Sequence, residues 1–171
     1  MKFEPGKKRY NDYPTFFKTL FQERVQKLSI DGGFTCPNRD GSKGVGGCSF
    51  CNNESFNPDY CRAVRGITEQ IDEGIRFFAR KYKGQKYLAY FQAYSNTYAP
   101  LDVLKLRYEE ALAHPMISGL VIGTRPDVVS EEILDYLEEL AQRYYVCVEY
   151  GVESANDTIL RQINRGHDFA V

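Results

Sequence analysis

The chain has 171 residues, of which 43% are hydrophobic and 26% are charged, the balance of a globular domain with its own core. Its formal net charge of −1 gives no electrostatic footprint for nucleic acid or a membrane surface, although a local basic patch stays compatible with RNA. No segment has the length of a transmembrane helix, and the first residues lack the apolar run of a secretory signal. We therefore expect a cytoplasmic protein without membrane contact, whose five cysteines stay reduced. Three or four of them lie close together in the sequence, which suggests a metal or a catalytic role rather than disulfides.

The first part of the chain is predicted to contain a helix, a strand and a long loop. Apolar periodicity predicts a helix over Thr15–Glu23 and a strand over Val25–Ile30. The loop that follows, Asp31–Gly66, is rich in Gly, Asn, Pro and Cys, and a loop of this length is usually functional or ordered by something that it binds. Thr68 is predicted to cap the next helix. The apolar side of that helix comprises Ile71, Ile75, Phe78 and Tyr82.

The rest of the chain is predicted to alternate between strands and helices. Strands are expected over Tyr87–Phe91, Leu120–Ile122 and Tyr145–Tyr150. Ser130 is expected to cap the helix before the last strand, and Asn156 the short helix after it. The helices are marked by apolar residues one turn apart, namely Leu101, Leu104, Tyr108 and Leu112, then Ile133, Leu134, Leu137 and Leu140, and finally Ile159, Leu160 and Ile163.

This alternation, with short connections, predicts an α/β fold with a parallel sheet and right-handed crossovers. Gly166 fits the C-terminal stop of the last helix, and Asp168 would cap one further helix. Because four strands cannot close a parallel barrel, we expect residues 1–171 to be the N-terminal part of a single domain, truncated after about four strands. Polar residues follow the strands, as they do in barrels and in doubly wound sheets, and periodicity does not choose between these two folds.

The loop after the first strand contains a C-x11-C-x2-C pattern formed by Cys36, Cys48 and Cys51. Iron–sulfur clusters take soft thiolate ligands, and a cubane has four iron corners. Three cysteines from one loop can bind three corners and leave the fourth iron open for the amino and carboxylate groups of S-adenosylmethionine (SAM). Phe50, between the last two cysteines, would shield the cluster and present an apolar surface to an adenine ring.

A structural zinc site is the alternative interpretation of the same cysteines. Cys61 lies ten residues after Cys51 and could complete a tetrahedron of four thiolates, which would give a zinc-stabilised binding module. The strand before the loop and the barrel-like pattern after it favour the cluster. We expect Cys61 to be a bystander, and Cys147, inside the fourth predicted strand, to be an inert buried residue.

The cysteine loop, with an aromatic residue before its last cysteine, resembles the radical SAM superfamily in its longer-spaced variants. Three later motifs resemble the radical SAM domain of the Elongator catalytic-subunit class: GTRPD at 123–127, EYGVES at 149–154 and NRGH at 164–167. The segment ERVQKLSIDGGFTCPNRDG, at 23–41, resembles a bacterial group of uncharacterised iron–sulfur oxidoreductases in that class. The resemblance therefore extends over most of the chain.

The resemblance implies a partial TIM-type parallel β/α barrel in which the three cysteines hold a 4Fe–4S cluster. In such enzymes the reduced cluster passes one electron to SAM, which is cleaved to methionine and a 5′-deoxyadenosyl radical that abstracts hydrogen from a substrate. The resemblance also implies an electron donor such as flavodoxin, and it makes tRNA one candidate for an otherwise unidentified substrate. A barrel that has lost catalysis and binds RNA is a further alternative.

The resemblance also implies SAM contacts at the rim of the barrel. The segment QAYSNT, at 92–97, occupies the place of a Gly-Gly-Glu element of the family, which this chain lacks. Glu153 and Arg165 match the glutamine and the arginine that contact SAM in the related oxygen-independent coproporphyrinogen oxidases, and a guanidinium suits the SAM carboxylate. Gly123 replaces a glutamate, and Glu149 is expected to take over its ribose contact. The expected SAM contacts are Phe50, Gln92, Tyr94, Asn96, Thr124, Arg125, Glu149, Glu153 and Arg165.

Structural interpretations of some of these side chains stay open. Arg125 and Asp127 could pair with each other, and Arg165 could be a surface residue that complements a helix dipole. His114 is expected to be exposed, and His167 to fix a turn rather than bind iron.

Overall fold

The computed structural model describes residues 10–81 and 85–171, and within these ranges it contains one parallel four-stranded sheet. The strands follow one another across the sheet in chain order and are β1 Arg24–Ile30, β2 Gln85–Phe91, β3 Ile117–Thr124 and β4 Tyr145–Tyr150. The predicted α/β fold with parallel strands is confirmed, and it is compatible with a partial TIM-type barrel.

Five helices occur in the described ranges, and four of them connect or follow strands. They are α1 Tyr13–Phe21, α2 Ile67–Ala79, α3 Leu101–Leu112, α4 Glu131–Ala141 and α5 Asp157–Gln162. Short 3₁₀ segments occupy Asn53–Phe56 and Pro126–Val128. None of the described helices combines the length and the apolar character that crossing a bilayer requires.

The two faces of the sheet are covered by different helices. One face packs against α2, α3 and α4 in the main core, where Leu28, Leu104 and Leu120 are fully buried. The other face packs against α1, whose Phe17 contacts Leu88 and Val121. Because side chains alternate along a strand, covering both faces accounts for the continuous apolar runs in β2 and β3. Each fully buried leucine contributes about 1.5–3 kcal/mol to folding.

Helix α1 begins and ends two residues before the predicted bounds because its caps are local. The Asp12 carboxylate accepts a hydrogen bond from the Thr15 backbone N–H at 3.0 Å, and this bond starts the helix at Tyr13. Gln22 takes a left-handed conformation (φ 59°) and ends it.

The prediction that Thr68 caps α2 is wrong. The cap residue is Gly66, which offers no side-chain oxygen, and Thr68 lies inside the first turn. The carboxylate of Glu110, on α3, instead accepts the Thr68 backbone N–H at 3.2 Å. A neighbouring helix thus supplies the acceptor that a local side chain usually supplies. Tyr82, predicted on the apolar side of this helix, lies outside the described residues.

The C-terminal stop of α5 lies at Asn164 and not at Gly166. Asn164 is left-handed (φ 54°), and the N–H groups of Asn164 and Arg165 bond to the carbonyls of Arg161 and Leu160 at 3.1 and 2.9 Å. This pattern of two bonds around a left-handed residue is a Schellman motif. Gly166, two residues later, is also left-handed (φ 78°). The further helix that Asp168 would cap stays a prediction.

Candidate functional site

The carboxyl ends of the strands surround a cavity of about 510 Å³, and Cys36, Cys48 and Cys51 all line it. Cys48 is buried, whereas Cys36 and Cys51 are half-buried. The fold therefore brings the three thiols of one loop to the same space. The expected SAM contacts that line this cavity are Phe50, Gln92, Tyr94, Thr124, Arg125, Glu149, Glu153 and Arg165.

Asn96 does not line the cavity but joins two strand ends beneath it. Its side-chain amide donates to the carbonyls of Phe91 and Gly123 at 3.1 and 2.7 Å, and the residue is fully buried. Next to it, the hydroxyls of Thr97 and Thr124 lie 2.6 Å apart. These bonds fix the ends of β2 and β3 relative to each other, so Asn96 shapes the rim from below.

Arg125 is buried at the rim and forms the pair with Asp127 that was one of its two interpretations. Its Nε and Nη2 each donate to an Asp127 carboxylate oxygen at 2.8 Å, and its Nη1 donates to the sulfur of Cys36 at 3.8 Å. Lys43, from the cysteine loop, also forms an ion pair with Asp127. Burial alone would raise the pKa of Asp127, but the hydrogen bonds from Arg125 and Lys43 hold it well below its usual range. Asp127 thus ties the loop to β3.

Arg165 is also buried, with 6% of its surface exposed, so its interpretation as a surface residue is wrong. Its Nε donates to His167 Nε2 at 3.1 Å, and its Nη2 donates to the carbonyl of Gly151. Its Nη1 donates to the sulfur of Cys48 at 3.7 Å. A second guanidinium is therefore fixed by the protein beside a second cysteine of the loop. Glu153 lies 4.0 Å from the same guanidinium.

Asn38 connects the cysteine loop to the turn that carries Arg165, and no pattern in the sequence indicated this contact. The residue is fully buried, and its Nδ2 lies 2.5 Å from the Asn164 carbonyl, 2.9 Å from the Arg165 carbonyl and 3.5 Å from Cys48 Sγ. In return, the Asn164 amide donates to the Gly47 carbonyl at 2.9 Å. Side chains of the cysteine loop and of the NRGH motif thus each donate to a backbone carbonyl of the other segment.

Substituting Gly166 by alanine is expected to destabilise the fold by more than the same change at Gly41. Both glycines are left-handed (φ 78° and 92°), which costs an alanine about 1–2 kcal/mol. A Cβ at Gly166 would lie 2.2 Å from Asn38 Oδ1, whereas a Cβ at Gly41 would meet nothing within 4 Å. The clash should add about 1–3 kcal/mol in Gly166→Ala. Urea unfolding of both variants measures the difference, and equal losses of stability would show that the Asn38 contact does not matter.

Two residues of the cavity wall have a backbone conformation that favours glycine. Tyr94 and Glu153 have φ values of 65° and 66°, although neither is a glycine or an asparagine. Such conformations cost about 1–3 kcal/mol each and cluster at functional sites.

Arg39 lies over the Tyr94 ring at 5.8 Å and donates to the Cys51 carbonyl at 3.2 Å. The third cysteine therefore also has an arginine beside it, here an exposed one.

The face of the sheet that α1 covers carries an ion pair between Lys27 and Glu149. Sequence reasoning singled out Glu149 but missed Lys27. Lys27 Nζ, from β1, lies 2.5 Å from a Glu149 oxygen on β4, and Tyr90 donates to the other oxygen at 2.8 Å. Lys27 also lies over the rings of Tyr13 and Tyr90, at 4.7 and 4.3 Å. Burial and the bond to Glu149 raise the pKa of Tyr90. The alternation of side chains along β1 puts Lys27 on the same face as Val25 and Ser29, and this pattern could have predicted which face of the sheet carries the lysine.

Cys61 lies apart from the other three cysteines of the loop region. It is 1% exposed, it lines a separate cavity with Asp31, and burial raises the pKa of its thiol to about 12. Among the described residues, no group of three Cys, His, Asp or Glu side chains could hold a single metal ion. This arrangement argues against a four-thiolate zinc site. Cys147 is half-buried rather than buried, and it packs on the face of the sheet that α1 covers.

Neither histidine lines the cavity. His167 accepts the Arg165 bond and donates from Nδ1 to the Asp168 carbonyl at 2.7 Å, so it supports a turn. His114 was expected to be exposed, but its side chain is only 11% exposed and its Nε2 lies 3.2 Å from Asp72.

Three cysteines of one loop thus lie at the carboxyl ends of a parallel α/β sheet, and comparison of the sequence with known families identifies the class of protein. The chain matches the radical SAM superfamily over residues 36–171 and belongs to that family. It is similar to the protein named Protein YhcC of Escherichia coli (strain K12), with 46% identity over 151 residues, covering 88% of this chain and 48% of that protein. It is also similar to Uncharacterized protein YtqA of Bacillus subtilis (strain 168), with 38% identity over 162 residues, covering 95% and 50%. The chain thus spans about half the length of the curated relatives that it matches.

Membership of this family implies an iron–sulfur cluster and the use of SAM in general. The residues present fit such a cluster in their chemistry. Three soft thiol ligands line one cavity, and guanidinium groups beside them suit an anionic cluster with thiolate ligands. A cubane distributes its ligands over separate iron atoms, so these thiols need not converge on one point as the ligands of a single ion do.

Proposed function

We propose that this chain forms the cluster- and SAM-binding part of a radical SAM enzyme, with a 4Fe–4S cluster on Cys36, Cys48 and Cys51. The observation that supports this most strongly is the shared cavity of the three thiols, with two buried arginines donating to their sulfurs. When bound and reduced, such a cluster supplies one electron for the cleavage of SAM, and the resulting 5′-deoxyadenosyl radical abstracts hydrogen from a substrate.

The residues of this chain would hold SAM and exclude water around it. Phe50 and Tyr94 offer aromatic surfaces to the adenine, and Gln92 and Thr124 offer polar groups at the strand ends. The Glu153 carboxylate, 33% exposed, is available as an acceptor for the amino group of SAM. Glu149 is the proposed ribose contact, since Lys27 and Tyr90 each bond to one of its oxygens, a carboxylate has further lone pairs, and the side chain is 37% exposed.

This chain covers about half the length of its curated relatives, so its substrate and its redox partner are proposals. We propose that the enzyme abstracts hydrogen from a substrate for which tRNA is one candidate, and that an electron donor of the flavodoxin type reduces its cluster. Tyr150 and Glu153 line the cavity, and the exposed ring of Tyr150 marks a side from which a large substrate could approach it.

Anaerobic reconstitution with iron and sulfide tests the proposal. About four irons per chain, with a broad visible absorbance that bleaches under dithionite, would support a 4Fe–4S cluster. Formation of 5′-deoxyadenosine from added SAM would then support the chemistry. A colourless chain that binds one zinc ion would contradict the proposal and favour the zinc-stabilised module.

A further inference from the structure

Arg125 has one nitrogen directed at a cysteine sulfur and two that are occupied by another residue. Its Nε and Nη2 form a two-pronged pair with Asp127, which is itself 2% exposed. The remaining nitrogen, Nη1, is the one that donates to Cys36 Sγ at 3.8 Å. Since the pair with Asp127 prevents rotation of the guanidinium, this direction is built into the fold and does not require a ligand.

Arg165 repeats this arrangement with different partners. Its Nε is bonded to His167 and its Nη2 to the Gly151 carbonyl, and again Nη1 donates to a sulfur, that of Cys48, at 3.7 Å. The Asn38 amide adds a neutral donor 3.5 Å from the same sulfur. Two buried cations on different elements, each held through two of its three nitrogens, thus point the equivalent third nitrogen at a thiol.

A carboxylate of a bound ligand is the other partner that such arginines could serve, and it is the one that the family resemblance suggested. A two-pronged bond to a carboxylate uses two adjacent nitrogens of the guanidinium. In Arg125 one such edge is already taken by Asp127, and in Arg165 both Nε and Nη2 are taken by protein acceptors. The sulfurs are therefore the better-supported partners.

We infer that Arg125 and Arg165 donate to the cluster ligands Cys36 and Cys48 and raise the reduction potential of the cluster, an inference that rests on the proposed function. Reduction adds one negative charge to the cluster and its thiolates. A fixed positive charge and an N–H donor at the sulfurs stabilise the reduced form more than the oxidised form, and burial strengthens the effect because screening by water is weak.

The test compares potentials in chains reconstituted with iron and sulfide, by redox titration followed by electron paramagnetic resonance, without SAM. Arg165→Gln removes the charge but keeps an amide, and it should lower the equilibrium constant for one-electron reduction at least tenfold, which is about 59 mV. Arg165→Lys keeps the charge without the fixed fork and should lie between Arg165→Gln and the wild type. Arg143→Gln is the matched control, because it removes the same charge from an exposed residue that follows α4.

Iron content separates the possible failures. A wild-type chain without iron contradicts the proposed function, whereas about four irons with an unchanged potential in Arg165→Gln overturns only the present inference. Arg125→Gln, measured in parallel, keeps the test decisive if one variant does not fold. Unchanged potentials combined with weaker SAM binding would also overturn it, since they assign the arginines to the SAM carboxylate. A drop of equal size in Arg143→Gln would show that only net charge matters.

Discussion

Cys51→Ala is expected to lower the iron content of the reconstituted chain from about four atoms to fewer than one, with loss of the visible absorbance. The cysteine is one of three thiols from a single loop that line the same cavity. A cubane held by two protein thiolates exposes two iron corners and is readily lost. Iron analysis and the absorption spectrum measure the effect directly.

Cys61→Ala is the matched control, because it also removes one thiol from the same part of the chain. Cys61 lines a different cavity, and its variant should keep the iron content of the wild type. If Cys61→Ala lost its metal together with Cys51→Ala, the four-cysteine zinc interpretation would regain its support. A Cys51→Ala chain that kept a full cluster would refute the assignment of the three ligands.

Asp127→Ala is expected to lower the free energy of unfolding by about 3–5 kcal/mol. Removing the carboxylate leaves Arg125 buried, at 3% exposure, without its counter-charge. Lys43 is 38% exposed and can turn toward solvent, but Arg125 cannot. For a domain of this size a loss of 3 kcal/mol lowers the melting temperature by about 6–12 °C.

The control for this prediction is Asp135→Ala, since Asp135 is exposed on α4 and its loss should change stability by less than about 0.5 kcal/mol. The pH dependence gives a second measurement. Because the folded-state pKa of Asp127 is lowered, its contribution is complete above the ordinary carboxyl pKa of about 4 and is lost as the pH falls further. The stability gap between wild type and Asp127→Ala should therefore be constant above about pH 5 and shrink in stronger acid. A gap that does not change with pH would contradict the ion pair.

The sequence predicted those parts of the fold that depend on local patterns. The cap residues Ser130 and Asn156 are confirmed, because each accepts hydrogen bonds from backbone groups of its own first turn. Strand β4 is also confirmed at Tyr145–Tyr150. Strand β3 is longer than predicted, since its ladder with β4 continues through Gly119 and Gly123, which have no strand propensity of their own.

The parts that the sequence could not predict depend on contacts between distant segments. Thr68 bonds to α3, and Asn38 bonds to a turn more than 120 residues later in the chain. The three cysteines could be proposed as ligands from the sequence alone, because their spacing is local and their chemistry is specific. The directions of Arg125 and Arg165 were not visible, because they depend on which acceptors the fold places beside each guanidinium.

The left-handed conformations of Tyr94 and Glu153 have a consequence for engineering this fold. Glycine would relieve the backbone strain at both positions, so selection for heat resistance alone would favour it there. The same change would remove an aromatic ring and a carboxylate from the cavity wall. A thermostable variant obtained without a functional screen would therefore tend to lose these two side chains of the cavity wall first, while its sheet and core remained intact.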